Sequence, residues 1–351
     1  MQIKELTSFI SHFKNSAIFV VLTLLVGLEI VLRILTFGWT TICDWQKYDP
    51  ISLQATSLVT SFPDSKLGWK LKPDLHSFYK GRSFTTNSHG FRDHERSVIP
   101  KSGIPRIAVL GRSYEMGVGV KNEDTWPNRL EKQYFQDQVE VLNFGVEAYS
   151  WGQVEANFHR FAKNFKSNCV ALPVFYEEID TLVPSAASKL PSLWEKYALA
   201  SSWADHFYLP RLMQQSFWWL FFRHGSGDWA YLPQQEITKF QEKITVEPFS
   251  TVIQRLVATI QQEGATVIIL PLPRLIRNSD LLYLKGRRLI EIYARTQKNV
   301  HIVKDLESLH DTVSIRDIAI PGDPHFNSEI LDQIASITFK ALKNEKICVP
   351  I

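Results

Sequence analysis

The sequence predicts an α/β protein: a three-layer α/β/α sandwich on a five-stranded, mainly parallel sheet. Three observations lead there. Short apolar runs alternate with helix-period segments from residue 106 to the last helix. Such runs, bounded by turn residues, read as strands buried on both faces. The segments between them are long enough to cross back over a sheet, so neighbouring strands run parallel.

The elements follow in order. The first strand is 106–111, opening Arg106-Ile-Ala-Val-Leu-Gly111 after Pro105. A helix at 124–135 has Asp124 or Thr125 as its cap and Trp126, Leu130 and Tyr134 on one face. The second strand is 139–144, the next helix 153–165 and the third strand 169–176. A long interruption covers 181–248. Then come a helix at 252–262, a fourth strand at 265–271, a helix at 281–296, a short fifth strand at 301–305 and a closing helix at 327–342. There is no internal repeat. The α/β domain as a whole spans 105–345.

The interruption is read as a helical, aromatic insertion. Trp194, Trp203, Phe207, Tyr208, Phe217, Trp218, Trp219, Phe221, Phe222 and Trp229 fall within it. It reads either as a lid or bilayer-dipping surface that holds an acyl or glycan substrate, or as packing on the domain's own helices. Packing is favoured for most of these residues, because aromatic side chains bury large areas and dominate cores.

Ahead of the domain, residues 17–39 are the most hydrophobic stretch of the chain. Its length just reaches the 20 or so residues of a membrane-crossing helix. Glu29 and Arg33 interrupt it four residues apart, on one helical face where they can pair, and Trp39 suits an interfacial position. No small-x-small site follows, which favours a retained signal anchor over a cleaved leader. Lys4 and Lys14 precede the span and its far flank is nearly neutral. The positive-inside rule then puts the tail 1–16 in the cytoplasm and the main body outside. Residues 40–63 read as a linker and 64–104 as a small β element, with turns at Gly68 and Gly90 and strand character at 83–86.

Of 351 residues, 45% are hydrophobic and 21% charged, an ordinary globular balance. A net charge of +3 with no basic run interleaved with aromatics argues against nucleic acid. Cys43, Cys169 and Cys348 show no metal-ligand spacing. Cys169 reads as core, and a Cys43–Cys348 disulfide is open if both lie outside the cytoplasm. With no ligand cluster and no phosphate loop, no metal or organic cofactor is expected.

The chemistry collects at strand ends. Ser113, in Gly111-Arg112-Ser113, follows the first strand, where open α/β sheets bind ligands. It reads as a nucleophile or as a helix cap. Gly145, after the second strand, offers a backbone N–H to an oxyanion or simply makes a turn. Glu177, Glu178 and Asp180 follow the third strand. His325, in Pro321-Gly-Asp-Pro-His-Phe-Asn327, precedes the last helix on the same edge, with Asp323 near enough in sequence to orient its ring.

This order resembles the SGNH hydrolases, the GDSL esterase/lipase superfamily, over about residues 67–343. The Leu-Gly-Trp stretch at 67–69, Asn-Ser-His-Gly-Phe-Arg-Asp at 87–93, and Leu142-Asn-Phe-Gly145 with Tyr149 and Gln153 are similar to membrane-anchored bacterial members. The resemblance implies a flavodoxin-like sheet, Ser113 as nucleophile, His325 as base, Asp323 as its orienter, and Ser113 and Gly145 N–H groups in the oxyanion hole. It implies an anchored, extracytoplasmic ester hydrolase or O-acyl transferase acting on an acylated glycan or lipid-like substrate. Three positions depart from the family pattern. Arg112 stands where the motif has aspartate. Ile179 stands where a side-chain oxyanion donor is expected, a loss worth about a hundred- to a thousandfold in rate. Asp323 is two residues before His325 rather than three. The alternative is a catalytically impaired relative that binds an envelope glycan or protein. A nucleotide-binding domain is disfavoured, because no Gly-x-Gly-x-x-Gly follows the first strand.

Overall fold

The structure is a computed structural model, and it describes residues 17–37, 39–43, 57–62, 64, 66–184, 207–209, 246–273, 280–310, 312–319 and 325–349. Asp323 and most of the aromatic insertion lie outside the described residues.

Four short strands precede the domain sheet: β1 (Val59–Ser61), β2 (Trp69–Leu71), β3 (His76–Tyr79) and β4 (Arg82–Thr85). They form two antiparallel pairs, β1 with β2 and β3 with β4. The β element therefore begins inside the stretch read as linker. The domain sheet has β5 (Arg106–Gly111), β6 (Glu140–Gly145), β7 (Cys169–Val174), β10 (Thr266–Pro271) and β11 (Val300–Ile302), in the order β11-β10-β7-β5-β6. All four pairings are parallel. Between β7 and β10 lie β8 (Leu182–Pro184) and β9 (Val246–Pro248), an antiparallel pair at the two ends of the insertion.

Strand alternation divides the core in two. Ala108, Leu110, Leu142, Phe144, Val170, Leu172, Val267 and Ile269 face one layer. Ile107, Val109, Val141, Ala171, Ile268 and Leu270 face the other. Successive side chains on a strand point to opposite faces, so both layers need apolar residues and the strands lose any polar stripe. The first layer is covered by the helices Trp151–Arg160 and Phe249–Gln262, the second by Ser328–Glu345. The segment read as one helix at 124–135 is instead three pieces: a 3-10 turn, Asn122–Asp124, an α turn, Trp126–Arg129, and a π turn, Leu130–Tyr134. Thr125 does sit at the N-cap, with Pro127 in the first turn.

The edge strand β6 would expose unpaired backbone groups, a liability for any sheet. Side chains from the preceding segment cover it. Asp93 accepts from the Asn143 N–H at 3.2 Å, Glu131 accepts from the Val141 N–H at 2.6 Å, and Arg96 donates to the Val141 carbonyl at 2.8 Å. Arg96 also donates to Asp93 and Glu131, and His94 bridges the same two carboxylates at 3.1 and 3.2 Å.

The disulfide differs from the one left open by the sequence. Cys169 is bridged to Cys348 with a Cα–Cα distance of 6.2 Å, and Cys43 is free and exposed. Cys169 starts β7 and points into the layer that the last helix covers, so the chain after that helix returns to it. Sequence separation hides this pairing, since the two are 179 positions apart.

The N-terminal apolar stretch forms one helix, Ala17–Phe37, of 21 residues. Among the residues whose side chains are described, no helix is long and apolar enough to cross a membrane. In this helix those side chains run only from 19 to 35.

Candidate active site

Ser113 is the first residue of a one-turn helix, Ser113–Met116, which begins directly after β5. Its Oγ lies 2.6 Å from His325 Nε2. The two are 212 residues apart in sequence, so only the sheet edge joins them. The core strands taken in chain order have the spatial arrangement 2-1-3-4-5, and the order switches between β5 and β7. The crevice outside the carboxyl ends of the strands at a switch point is where such sheets place ligands.

His325 is held from several sides. Its carbonyl accepts from the Ala319 N–H at 2.8 Å, and Phe326 forms a β-bridge with Ile318. Asn327 caps the last helix, its side chain accepting from the Ile330 N–H at 3.0 Å. The Tyr114 ring lies 4.7 Å from the imidazole and also contacts Phe175 and Phe326. His325 is 9% exposed and Ser113 is half-buried, so the serine stays open to the crevice while its partner is enclosed. A hydroxyl within hydrogen-bond reach of an imidazole is the minimal activated nucleophile.

Arg112 does not stand as a bare charge. Its Nη2 donates to both oxygens of Glu178, at 2.9 and 2.8 Å. Trp151 Nε1 donates to the same carboxylate at 3.2 Å, and the guanidinium sits 5.6 Å from the centre of the Trp151 ring. This cluster spans the switch-point crevice from the end of β5 to the turn after β7. It neutralises a carboxylate that would otherwise oppose an oxyanion. Asp180 is paired with Lys285 at the surface. Ile179 is 1% exposed and belongs to the core, so it contributes packing and no polar group.

Gly145 is where the structure corrects the sequence reading. Its N–H donates to Asn143 Oδ1 at 2.9 Å, so in this geometry it is already engaged. Glycine is required for another reason. A Cβ here would fall on the Met116 amide nitrogen and within 2.7 Å of the Glu115 carbonyl carbon. Asn143 completes this contact, with Nδ2 donating to the Glu115 carbonyl at 2.7 Å. Asn143-Phe-Gly145 thus clamps the nucleophile's helix onto β6.

Four more residues support the site: Arg92, Trp69 and Tyr149 lie in the stretches that carry the family resemblance, and Glu115 alone had no signal in the sequence. Glu115 is 2% exposed, and one carboxylate oxygen accepts from the Arg112 N–H at 2.7 Å. Burial pushes its pKa up to about 7, against the pull of that N–H and of the Arg112 charge. Arg92 is buried without a carboxylate. It donates to Asn122 Oδ1 at 2.8 Å and to the carbonyls of Met116 (3.1 Å), Gly117, Ser83 (3.2 Å) and Val120 (2.6 Å). Burial pulls its pKa down to about 9. It fixes the segment that leaves the nucleophile's helix, which gives the Phe91-Arg92-Asp93 stretch its purpose. Trp69 and Tyr149 do the same for the loop after β6: Trp69 Nε1 donates to the Glu147 carbonyl at 3.3 Å, and Tyr149 OH donates to the Trp69 carbonyl at 2.6 Å. The small β element thus buttresses both loops of the site.

Among the described residues, no group of His, Cys, Asp and Glu could hold a metal ion. Fold and site together define an α/β domain with a serine–histidine pair at its switch point. Solved structures similar to the chain include a lipase/acylhydrolase from Enterococcus faecalis, at 10% identity and a TM-score of 0.40, covering 69% of this chain and 97% of that one. A lipolytic protein of the G-D-S-L family from Veillonella parvula matches at 13% identity and 0.39, covering 68% and 98%. An acetylxylan esterase from Geobacillus stearothermophilus matches at 11% and 0.37, covering 67% and 93%. No protein-family model matches the sequence, and no curated protein matches it. Likeness at this level does not carry function; the geometry of the site has to.

Proposed function

We propose that the protein is a serine ester hydrolase or O-acyl transferase of the SGNH type. The observation that supports it is the 2.6 Å contact between Ser113 Oγ and His325 Nε2 at the switch-point edge. His325 takes the Ser113 proton as Oγ attacks the ester carbonyl. The tetrahedral intermediate collapses, the departing alkoxide takes the proton from His325, and an acyl-serine remains. Water or a glycan hydroxyl then gives its proton to His325 and attacks the acyl-serine; as the acid or new ester is released, the departing Ser113 oxygen takes that proton back from His325. The Ser113 N–H has no intrahelical partner, because it lies in the first turn of its helix. It is aimed at developing negative charge, with the Arg112 guanidinium close by. Asp323 is the orienter of His325 in this reading, and acylated glycans or lipid-like esters are the substrates.

The same proposal places the helix Ala17–Phe37 across a membrane, with the catalytic domain on the extracytoplasmic side. At 1.5 Å per residue a helix of 21 residues is about 31 Å long, close to the thickness of the bilayer's hydrocarbon core. Leu24, Val26 and Leu35 are 68%, 59% and 78% exposed, a surface that suits lipid and not water. The Cys169–Cys348 bridge suits an oxidising compartment.

A second reading, a binding protein without catalysis, is favoured by the engaged Gly145 N–H and the buried Ile179. One assay separates the two. The full chain in vesicles is given an aryl acetate, beside Ser113→Ala and His325→Ala. Turnover abolished in both variants supports the ester-transfer reading. Equal background rates in all three, with no labelling of Ser113 by an organophosphonate, support the binding reading.

A further inference from the structure

Glu29 and Arg33 are the two charges of the N-terminal helix, and both are buried, at 4% and 0% exposure. Their neighbours on the same helix are not: Leu28 is 45% exposed and Val31 49%. The difference comes from the aromatic insertion. Glu29 Oε1 accepts from Arg33 Nε and from the Tyr208 backbone N–H, each at 2.8 Å. Glu29 Oε2 accepts from the Leu209 backbone N–H at 2.8 Å. The Arg33 guanidinium lies 5.2 Å from the centre of the Tyr208 ring. Tyr208 and Leu209 are helical, so the carboxylate satisfies backbone donors as a capping side chain does.

The depth of this contact matters. Glu29 is 12 residues after Ala17 and eight before Phe37. At 1.5 Å per residue it lies about 18 Å from one end of the helix and about 12 Å from the other. Ionised side chains at such a depth are tolerated only when paired and turned toward protein. Here one guanidinium and two backbone N–H groups meet the carboxylate, and the insertion supplies the latter two.

The insertion also starts and ends at the catalytic edge. β8 follows the Glu178–Thr181 turn and pairs with β9, and the Phe249 N–H donates to the Thr181 carbonyl at 2.9 Å. The helix Asp280–Thr296 reaches the same edge. A Cβ at its Gly286 would fall on the Tyr176 carbonyl oxygen, so helix and turn are in direct contact. Leu182, Leu281 and Leu284, on these two elements, are 65%, 74% and 55% exposed.

We propose that Tyr208 and Leu209 lie below the headgroups beside the N-terminal helix. This contact holds the Ser113 edge, with its apolar rim, against the membrane surface, and the ester it receives is carried by a lipid. This rests on the membrane-anchored ester-transfer reading above. The Glu29–Arg33 pair is then a joint between anchor and catalytic domain.

The test uses the full chain in phosphatidylcholine vesicles. Tyr208→Cys in a Cys43→Ser background is labelled with bimane, and quenching by phospholipids brominated along their acyl chains is measured. Strong quenching is expected; quenching no greater than for a label on Lys298, exposed ahead of β11 at the sheet edge opposite Ser113, overturns the proposal. Activity supplies the second arm. Glu29→Ala is expected to lower turnover of a vesicle-borne long-chain ester at least tenfold and to leave aryl acetate turnover unchanged. Equal effects on both substrates, or none on the vesicle-borne ester, overturn it. Loss of the ester-transfer reading shows separately, as aryl acetate turnover that survives Ser113→Ala, and leaves the quenching result to stand on its own.

Discussion

Replacing Gly145 with alanine separates two roles for this residue. If glycine were needed only for its N–H, alanine would be tolerated, because it keeps that N–H. The packing says otherwise. The new Cβ lies 2.7 Å from the Glu115 carbonyl carbon, and ordinary contact begins at 3.4 Å. The atoms it meets are backbone, in the one-turn helix that starts with Ser113, so no side chain can rotate out of the way. The helix must move off β6 by at least about 0.7 Å. Displacements near 1 Å in a reacting group cost on the order of a hundredfold, so kcat should fall roughly ten- to a hundredfold. Overpacking of this kind also destabilises by about 1–3 kcal/mol. The assay is aryl acetate hydrolysis, with thermal unfolding measured in parallel. Gly111→Ala is the comparison: its Cβ falls on the Glu115 carboxylate, a side chain that can shift, and the loss should be smaller. A Gly145→Ala protein with unchanged kcat would refute the clamp and return the residue to a turn position.

Three further outcomes follow from the same contacts. Arg112→Ala leaves Glu178 uncompensated beside the nucleophile and should lower kcat on aryl acetate by about a hundredfold, whereas Glu178→Gln keeps the positive charge and should not; equal losses would mean that the pair is only structural. Cys348→Ser opens a bridge across 179 residues, and chain entropy puts its worth at up to about 5 kcal/mol; chemical denaturation of the variant beside the parent measures it, and an unchanged midpoint contradicts it. His94 is pushed up to about 9 by its hydrogen bonds to Asp93 and Glu131, partly offset by burial. Its stabilising contribution is therefore complete below its ordinary value of 6.5 and is lost as pH rises through 9. For Glu131, burial acts upward, but His94 and Arg96 hold its pKa near 2, so its share is present above 4.5 and lost on acidification toward 2. Melting temperature should decline between pH 6.5 and 9, and His94→Gln should flatten that decline; parallel curves for the two proteins would rule this out.

Much of the fold was legible because its signals are local. Apolar runs marked all five strands of the sheet, and turn residues marked their ends. Ser113 and His325 stood out because a strand end and a helix start are visible in a short window. The 124–135 segment was harder: Pro127 and a π turn break a periodicity that still looks helical on paper. The small β element could be seen only as turn signals and one strand at 83–86, since its purpose is to hold Met116–Val120 and the loop after β6.

By itself, then, the sequence determined the order of strands and helices, the strand end that carries Ser113, the helix start that carries His325, and the length of the apolar N-terminal helix. Each depends on residues within one or two turns of one another. The tertiary structure alone decided that Cys348 pairs with Cys169, that Glu178 neutralises Arg112, that Asn143 engages the Gly145 N–H and that Glu29 meets Tyr208 and Leu209. These are contacts between atoms tens to hundreds of residues apart or, at Gly145, between side chain and backbone. Hydrogen-bond geometry and close packing choose among many chemically equivalent partners only after the sheet has assembled.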